Sequence, residues 1–210
     1  ERDLAERYDV LPAVGESWFE IRRGTIPVIV VAGHATAQTR EGAPKTADRG
    51  TGSLAIMLHE MTGATVIHTT RRSPSDPNYY DDNEFKAALA GLIREVRPAV
   101  VLDLHASHAF RPYEIDFGTM GGRSLLGRDE LLSELIEAVR EEGIFNLSGD
   151  YFAAARNQTV TKFASAQGVP AMQIEISSTW LDPSRDTMTA HRFAQLLQAF
   201  VRYITSAWPR

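Results

Sequence analysis

Two apolar runs dominate the pattern of this chain: Ile26-Pro27-Val28-Ile29-Val30-Val31-Ala32 and Ala99-Val100-Val101-Leu102-Asp103-Leu104. Runs of this length without polar alternation read as strands buried on both faces of a sheet. Ala64 to Thr70 reads as a shorter β-rich strand, and Val169 to Ile176 as a further apolar one. Tyr113-Glu114-Ile115-Asp116-Phe117 alternates instead, as a half-buried edge strand does. Between these lie helical patterns. The first carries Leu54, Ile56, Met57, Leu58 and Met61 and stops at Gly63; the second runs from Glu84 to Val96 and ends before Pro98. Glu130 to Glu142, Val160 to Ala166 and about Asp186 to Ile204 complete the set. Strands alternating with helices predict an α/β protein, a three-layer α/β/α sandwich around a mostly parallel mixed sheet.

Composition narrows the class. The chain has 210 residues, enough for one domain spanning residues 1–210 with a sizeable core, and 43% are hydrophobic against 23% charged. A net charge of -5 and the lack of a basic run argue against a nucleic-acid partner. No apolar stretch reaches the roughly 18 residues of a membrane span, so no membrane association is expected. The absence of cysteine removes disulfides, thiolate nucleophiles and Cys-bound zinc, and leaves any metal to histidine and carboxylates. The expected location is the cytoplasm; because the chain starts at Glu1 without Met, a processed or secreted form stays open.

The two central strands both lead into histidine. Gly33-His34 follows the first run and His105 follows the second. Ligands in open α/β sheets collect just outside the carboxyl ends of the strands. One such histidine would ordinarily be a satisfied structural residue, but two at the same edge predict a metal site. A catalytic zinc wants three protein ligands and one open position, so a third ligand is needed. Asp48, where the first helix should begin, is preferred to Glu41 in the preceding loop, because a helix start fixes a side chain better. Asp48 as a plain helix cap is the competing reading.

Glu175 lies between Ile174 and Ile176 in an apolar strand, where a carboxylate is costly unless paired or functional. It is expected to act as a general base, with apolar surroundings raising its pKa. The loop from Arg71 to Tyr79 joins a strand to a helix at the same edge, and Arg72 there suits carboxylate recognition or oxyanion stabilisation. His108 is expected near the site, behind a ligand or facing substrate. His59, His68 and His191 read as structural.

These segments, in this order, resemble the N-formylglutamate amidohydrolase-like family, a branch of the zinc peptidase and amidase fold shared with carboxypeptidases and aspartoacylase-type enzymes. The resemblance runs from about Val28 to Leu181. It rests on Gly33-His34-Ala35, on Asp48-Arg49-Gly50 opening the first helix, and on Arg72, Asp76 and Asn78 in an Arg-x3-Asp-x-Asn pattern. Asp103-Leu104-His105 and Gln173-Ile174-Glu175-Ile176 complete it. It implies one zinc per chain on His34, Asp48 and His105, Glu175 as base, and Arg72 and Asn78 holding the substrate carboxylate or polarising the scissile carbonyl. The formylglutamate-type pattern has a further Arg where this chain has Tyr79, which points away from N-formylglutamate itself. The His-x-x-Glu of carboxypeptidase-like relatives is absent, since position 37 is Ala.

The expected activity is therefore zinc-dependent hydrolysis of the amide bond of a small N-acyl amino acid or related amide, in a chain free to form homo-oligomers. A carboxypeptidase-like or cell-wall peptide amidase is the alternative enzyme, favoured by a long open cleft. A non-catalytic metal- or ligand-binding module is the alternative outside enzymes. Two histidines and one carboxylate also suit non-haem iron; the order of the segments favours zinc.

Overall fold

The computed structural model describes residues 5–208. Nine strands are present among them: β1 (Phe19–Arg22), β2 (Val28–Ala32), β3 (Gln38–Arg40), β4 (Ala43–Lys45), β5 (Thr65–Thr69), β6 (Val100–Ser107), β7 (Ile115–Gly118), β8 (Leu147–Gly149) and β9 (Ala171–Ser177). Seven form one sheet in the order β1-β5-β2-β6-β9-β7-β8, and β3 and β4 form a separate hairpin. The central ladders β5–β2, β2–β6 and β6–β9 are parallel, whereas β1–β5 and β9–β7 are antiparallel. The sheet is the mixed, mostly parallel one expected from the pattern.

Five helices cover it: α1 (Thr51–Thr62), α2 (Glu84–Val96), α3 (Glu130–Glu141), α4 (Val160–Ala166) and α5 (Thr187–Ala207). Their ends follow local chemistry. Gly63 closes α1 in a left-handed conformation, Asn83 and Thr159 cap α2 and α4 with their side chains, and Asp186 opens α5 with a reciprocal capping box to Thr189. Leu54 and Leu58 of α1, Leu135 of α3, and Leu196 and Phe200 of α5 pack on one sheet face with Val30, Leu102 and Ile174. Phe85, Leu89 and Leu92 of α2 and Val160 of α4 pack on the other with Ile29, Val31 and Val101. Each such side chain contributes roughly 1.5–3 kcal/mol by leaving water. No described helix is long and apolar enough to cross a membrane.

Several elements differ from the pattern reading. β7, expected at an edge, lies between β9 and β8 and all four of its residues are buried. Its alternation arises because Asp116 is a buried polar residue with protein partners, so polarity here does not mean solvent. The edges are instead β1 and the three-residue β8, which are too short or too mixed to carry a periodic pattern. β6 also runs beyond the apolar segment to Ser107, which places His105 inside the strand.

That extension positions the site. On the face covered by α2 and α4, β6 presents Val101, then Asp103, then His105, because alternate residues share a face. β9 presents Ala171, Gln173 and Glu175 in register beside them, and β7 places Asp116 next to Glu175. The face turns from apolar to polar toward the carboxyl ends of the strands.

Candidate metal and catalytic site

His34 leaves β2 in a turn, and its carbonyl accepts a hydrogen bond from the Asp48 amide at 2.7 Å. The two segments are thereby joined before any side chain is considered. The reading of Asp48 as a helix cap does not hold. The residue before α1 is Gly50, at φ 86°, with no side-chain cap. A Cβ at Gly50 would stand 2.0 Å from the Leu181 carbonyl oxygen, so only glycine lets the chain pass there. Asp48 is left free to turn its carboxylate to the histidines.

Its Oδ2 lies 2.8 Å from Nδ1 of His105 and 3.5 Å from Nδ1 of His34. The second nitrogen of each ring faces a buried carboxylate. Nε2 of His34 is 2.7 Å from Asp76 Oδ1, and Nε2 of His105 is 3.2 Å from Asp103 Oδ1. Both Asp76 and Asp103 are fully buried. Asp76 is held in turn by Arg40, whose Nη2 and Nε approach its Oδ2 at 2.6 and 2.8 Å. Histidine that binds metal through one nitrogen usually gives its other N–H to a carboxylate or carbonyl, which sets the tautomer.

This donor set fits a divalent cation. His34, Asp48 and His105 offer ligand atoms within 4.8 Å of one another, two imidazoles and a carboxylate, with no thiolate required. The second carboxylate behind each ring leaves Nδ1 as the inward atom. Asp103 Oδ1 makes no hydrogen bond in this arrangement, although Nε2 of His105 stands 3.2 Å away. Asn78 Nδ2 lies 3.2 Å from the same Nε2, while Asn78 Oδ1 accepts from the Val160 amide at 2.7 Å. That second bond fixes the orientation of the amide, so Nδ2 donates to Nε2 of His105 when that nitrogen is unprotonated.

The charges reinforce one another. Burial alone would lower the His34 pKa, yet Asp76 and Asp48 outweigh it and raise it to about 9. Burial opposes His105 in the same way, and Asp103 and Asp48 raise it well above the usual range. Asp48 is drawn down to about 2 against its burial by the two histidines. Glu175 goes the other way: burial, only partly offset by His105, raises it to about 7. Its Oε1 accepts from Gln173 Nε2 at 2.9 Å, which leaves the other oxygen available to a substrate or water.

These groups line one cavity of about 580 Å³, within the range of small-molecule sites. His34, Asp48, His105, Asn78 and Glu175 all face it. The far wall is the segment 151–157 between β8 and α4. Two expected residues are not brought to this cavity. Arg72 turns away and pairs with Asp9 at 3.2 Å, so the clamp role expected of it has no support in the geometry. His108 is exposed, stacks on Phe110 at 5.1 Å and faces a separate depression beside Tyr8 and Arg49. Glu41, the rival acidic ligand, accepts from Tyr79 Oη at 2.6 Å on the outside. Arg40 and the 151–157 wall were not anticipated. Arg40 ends the three-residue strand β3, too short to give a periodic signal, and the wall is joined to the site only by tertiary contacts.

No protein-family model and no curated protein matches this sequence. Solved structures do match in shape. The N-formylglutamate amidohydrolase from Ralstonia eutropha JMP134 superposes with a TM-score of 0.64 at 15% identity, over 90% of this chain and 98% of that one. This chain has the N-formylglutamate amidohydrolase fold. A bacteriophage poly-gamma-glutamate hydrolase matches with a TM-score of 0.57 at 17% identity, over 90% and 86% of the two chains. A metallo-carboxypeptidase from Burkholderia cenocepacia matches with 0.56 at 11% identity, over 95% of this chain but 64% of that one. At these identities the likeness is one of fold, and the chemistry has to be argued from the site.

Proposed function

We propose that this chain is a zinc-dependent amidohydrolase that cleaves the amide bond of a small N-acyl amino acid or related amide. The observation that carries the reading is the paired arrangement of His34 and His105. Their Nδ1 atoms converge on Asp48 while Asp76 and Asp103 stand behind them, and Glu175 lies beside His105 in register. A purely structural polar cluster would not need an unpaired, pKa-raised carboxylate facing a cavity next to three converging ligand atoms.

Zinc held by His34, Asp48 and His105 would supply a Lewis acid and acidify water toward a pKa of about 7. Glu175 would accept a proton from the attacking water and deliver it to the departing nitrogen. A carboxylate whose pKa lies near neutrality can do both. Asp76 and Asp103 keep the imidazole rings oriented, and Arg40 holds Asp76. Gln173 fixes one oxygen of Glu175 so that the other stays turned to the reaction. A cavity of about 580 Å³ suits a small substrate.

The test is metal analysis of the purified protein together with hydrolysis of a panel of N-acyl amino acids. About one zinc per chain, lost in His34→Ala and His105→Ala while the fold is kept, and amine release from at least one panel member are expected. Full metal binding by the double variant, or no metal uptake at all, overturns the reading.

A further inference from the structure

We propose that the cavity wall built from Tyr151, Phe152 and the alanines after them is a subsite for an aromatic group of the substrate. This inference rests on the amidohydrolase reading above and names a feature that a preferred substrate carries. The lining of the cavity is divided. The strands and their exits bring polar groups, His34, His105, Gln173 and Glu175 among them. The segment between β8 and α4 brings two aromatic rings and then Ala153, Ala154 and Ala155, and polar side chains return only with Arg156 and Asn157. Tyr151 Oη accepts from Arg111 Nη1 at 3.2 Å, which ties that end of the ring to the loop after β6.

The rings are held in place, backbone first. The fully buried Asp116 accepts from the amides of Tyr151 at 3.1 Å and Phe152 at 2.8 Å. Gly118 lets the wall come close to β7: a Cβ there would stand 2.2 Å from the Phe152 carbonyl oxygen. The side chains are braced from the loop between β6 and β7. The Arg111 guanidinium lies 5.1 Å from the Phe152 ring, 5.6 Å from Tyr151 and 5.3 Å from Phe110. Its buried Nε makes no hydrogen bond, so on that side the three rings are its surroundings. Tyr113 and Phe152 each pack edge-on against Tyr151, at 5.3 and 5.2 Å between centroids. Cation–π and edge-to-face contacts of this kind set the angles of ring planes. Bracing that served only to close the loop would bury the rings, yet Tyr151 stays 50% exposed and Phe110 77%. Grouped apolar surface at the edge of a cavity marks a place where a ligand binds. A substrate whose amide reaches Glu175 and the histidines sets its side chain or its acyl group against this wall. A flat ring suits it, since it can pack on Tyr151 or Phe152 while the alanines leave room for its thickness.

The experiment sets two aromatic probes against N-acetylalanine on the zinc-supplemented protein. N-acetylphenylalanine changes the amino-acid side chain, and N-phenylacetylalanine changes the acyl group. Binding is read by calorimetry, and turnover by amine release. At least one aromatic probe should exceed N-acetylalanine by about 10–100-fold in affinity and in kcat/KM, the range for filling an apolar subsite. Which probe does so tells which end of the substrate the wall holds. Tyr151→Ala should collapse that preference toward one, while Tyr151→Phe, which keeps the ring, should retain it. Arg111→Met should lose part of the preference through KM with kcat kept, and Arg111→Lys should restore some of it, as expected of a positioning residue. Hydrolysis of all three probes at equal rates, or an unchanged preference in Tyr151→Ala, would overturn the subsite and leave the hydrolase reading standing. Aromatic-selective binding that depends on Tyr151, without turnover of any probe, would keep the subsite and overturn the hydrolase reading. Failure of the wild type to bind any probe overturns both.

Discussion

Asp76 Oδ1 lies 2.7 Å from Nε2 of His34, and its other oxygen holds Arg40, so one buried carboxylate links a candidate metal ligand to a cation at the cavity edge. Among the described residues Asp76 is the partner of that nitrogen. Asp76→Asn keeps the shape and removes the charge. Its amide can no longer accept from both the ring and Arg40 with the same strength. Metal affinity should fall by about 10–100-fold, the usual cost of losing such a partner, with the fold retained. Competition against a chelator measures it; unchanged affinity would show that His34 is not held for metal by Asp76.

The raised histidines make metal uptake dependent on pH. Metal must displace the protons of His34, with a pKa of about 9, and of His105, which is raised well above its usual range. Apparent affinity should therefore climb steadily from pH 6 to pH 9. Stability without metal should move the opposite way. His34 has a folded pKa above its unfolded value of about 6.5, so its contribution is complete below that value and is lost as pH rises through about 9. Glu175, raised to about 7, acts with the same sign: the folded chain retains a proton that the unfolded chain releases near 4.5. Denaturant midpoints in chelator should fall between pH 5 and 9. A midpoint rising over that interval would show that the cluster is not charged as described.

Much of this arrangement was legible in the chain. The central strands and all five helices follow from apolar periodicity and from caps such as Gly63, Asn83 and Asp186, because those rules act over a few residues. His34, His105 and Glu175 were visible because polar residues stand out when an apolar strand delivers them, and Asp48 because it stands just ahead of the first helix. Arg72 and His108 were misplaced because loop side chains are directed by tertiary partners. Asp9, far away in sequence, draws Arg72 off, and Phe110 holds His108 at the surface. Lys86 was hidden by its helix. In a sequence a lysine in an amphipathic pattern reads as solvated, and its burial is explained by the Asp81 carboxylate together with the carbonyls of Gln158 and Thr159.

Lys86 gives a prediction of its own. Its Nζ lies 4.9 Å above the Phe163 ring, so Lys86→Met keeps the apolar contact and removes the donor. The carbonyls of Gln158 and Thr159, just beyond the cavity wall, and the Asp81 carboxylate would then lose their partner. Stability should drop by about 1–3 kcal/mol, the range for stranding buried polar groups. Because the wall moves while the metal ligands do not, KM should rise more than kcat falls, and zinc content should stay the same. Loss of zinc, or a fall in kcat alone, would place Lys86 in a different role.

Glu175 is the sharpest case, since burial opposes its charged form. It lies in register between His105 and Asp116, and its burial raises its pKa to about 7. A carboxylate that the fold resists ionising is a poor structural element and a suitable base near neutral pH. Glu175→Gln keeps the side-chain shape and removes the proton acceptor. Turnover of the best N-acyl amino acid should fall by about 10²–10⁴-fold, as is typical when a general base is lost. Zinc should stay bound, because His34, Asp48 and His105 are untouched. At pH 8 the metal-free variant should melt higher than the wild type, because it no longer holds a buried ionised carboxylate. Zinc content, melting temperature and kcat measured on one preparation separate the outcomes. Near-normal turnover would remove Glu175 from the chemistry, and loss of zinc with turnover would make it a ligand instead.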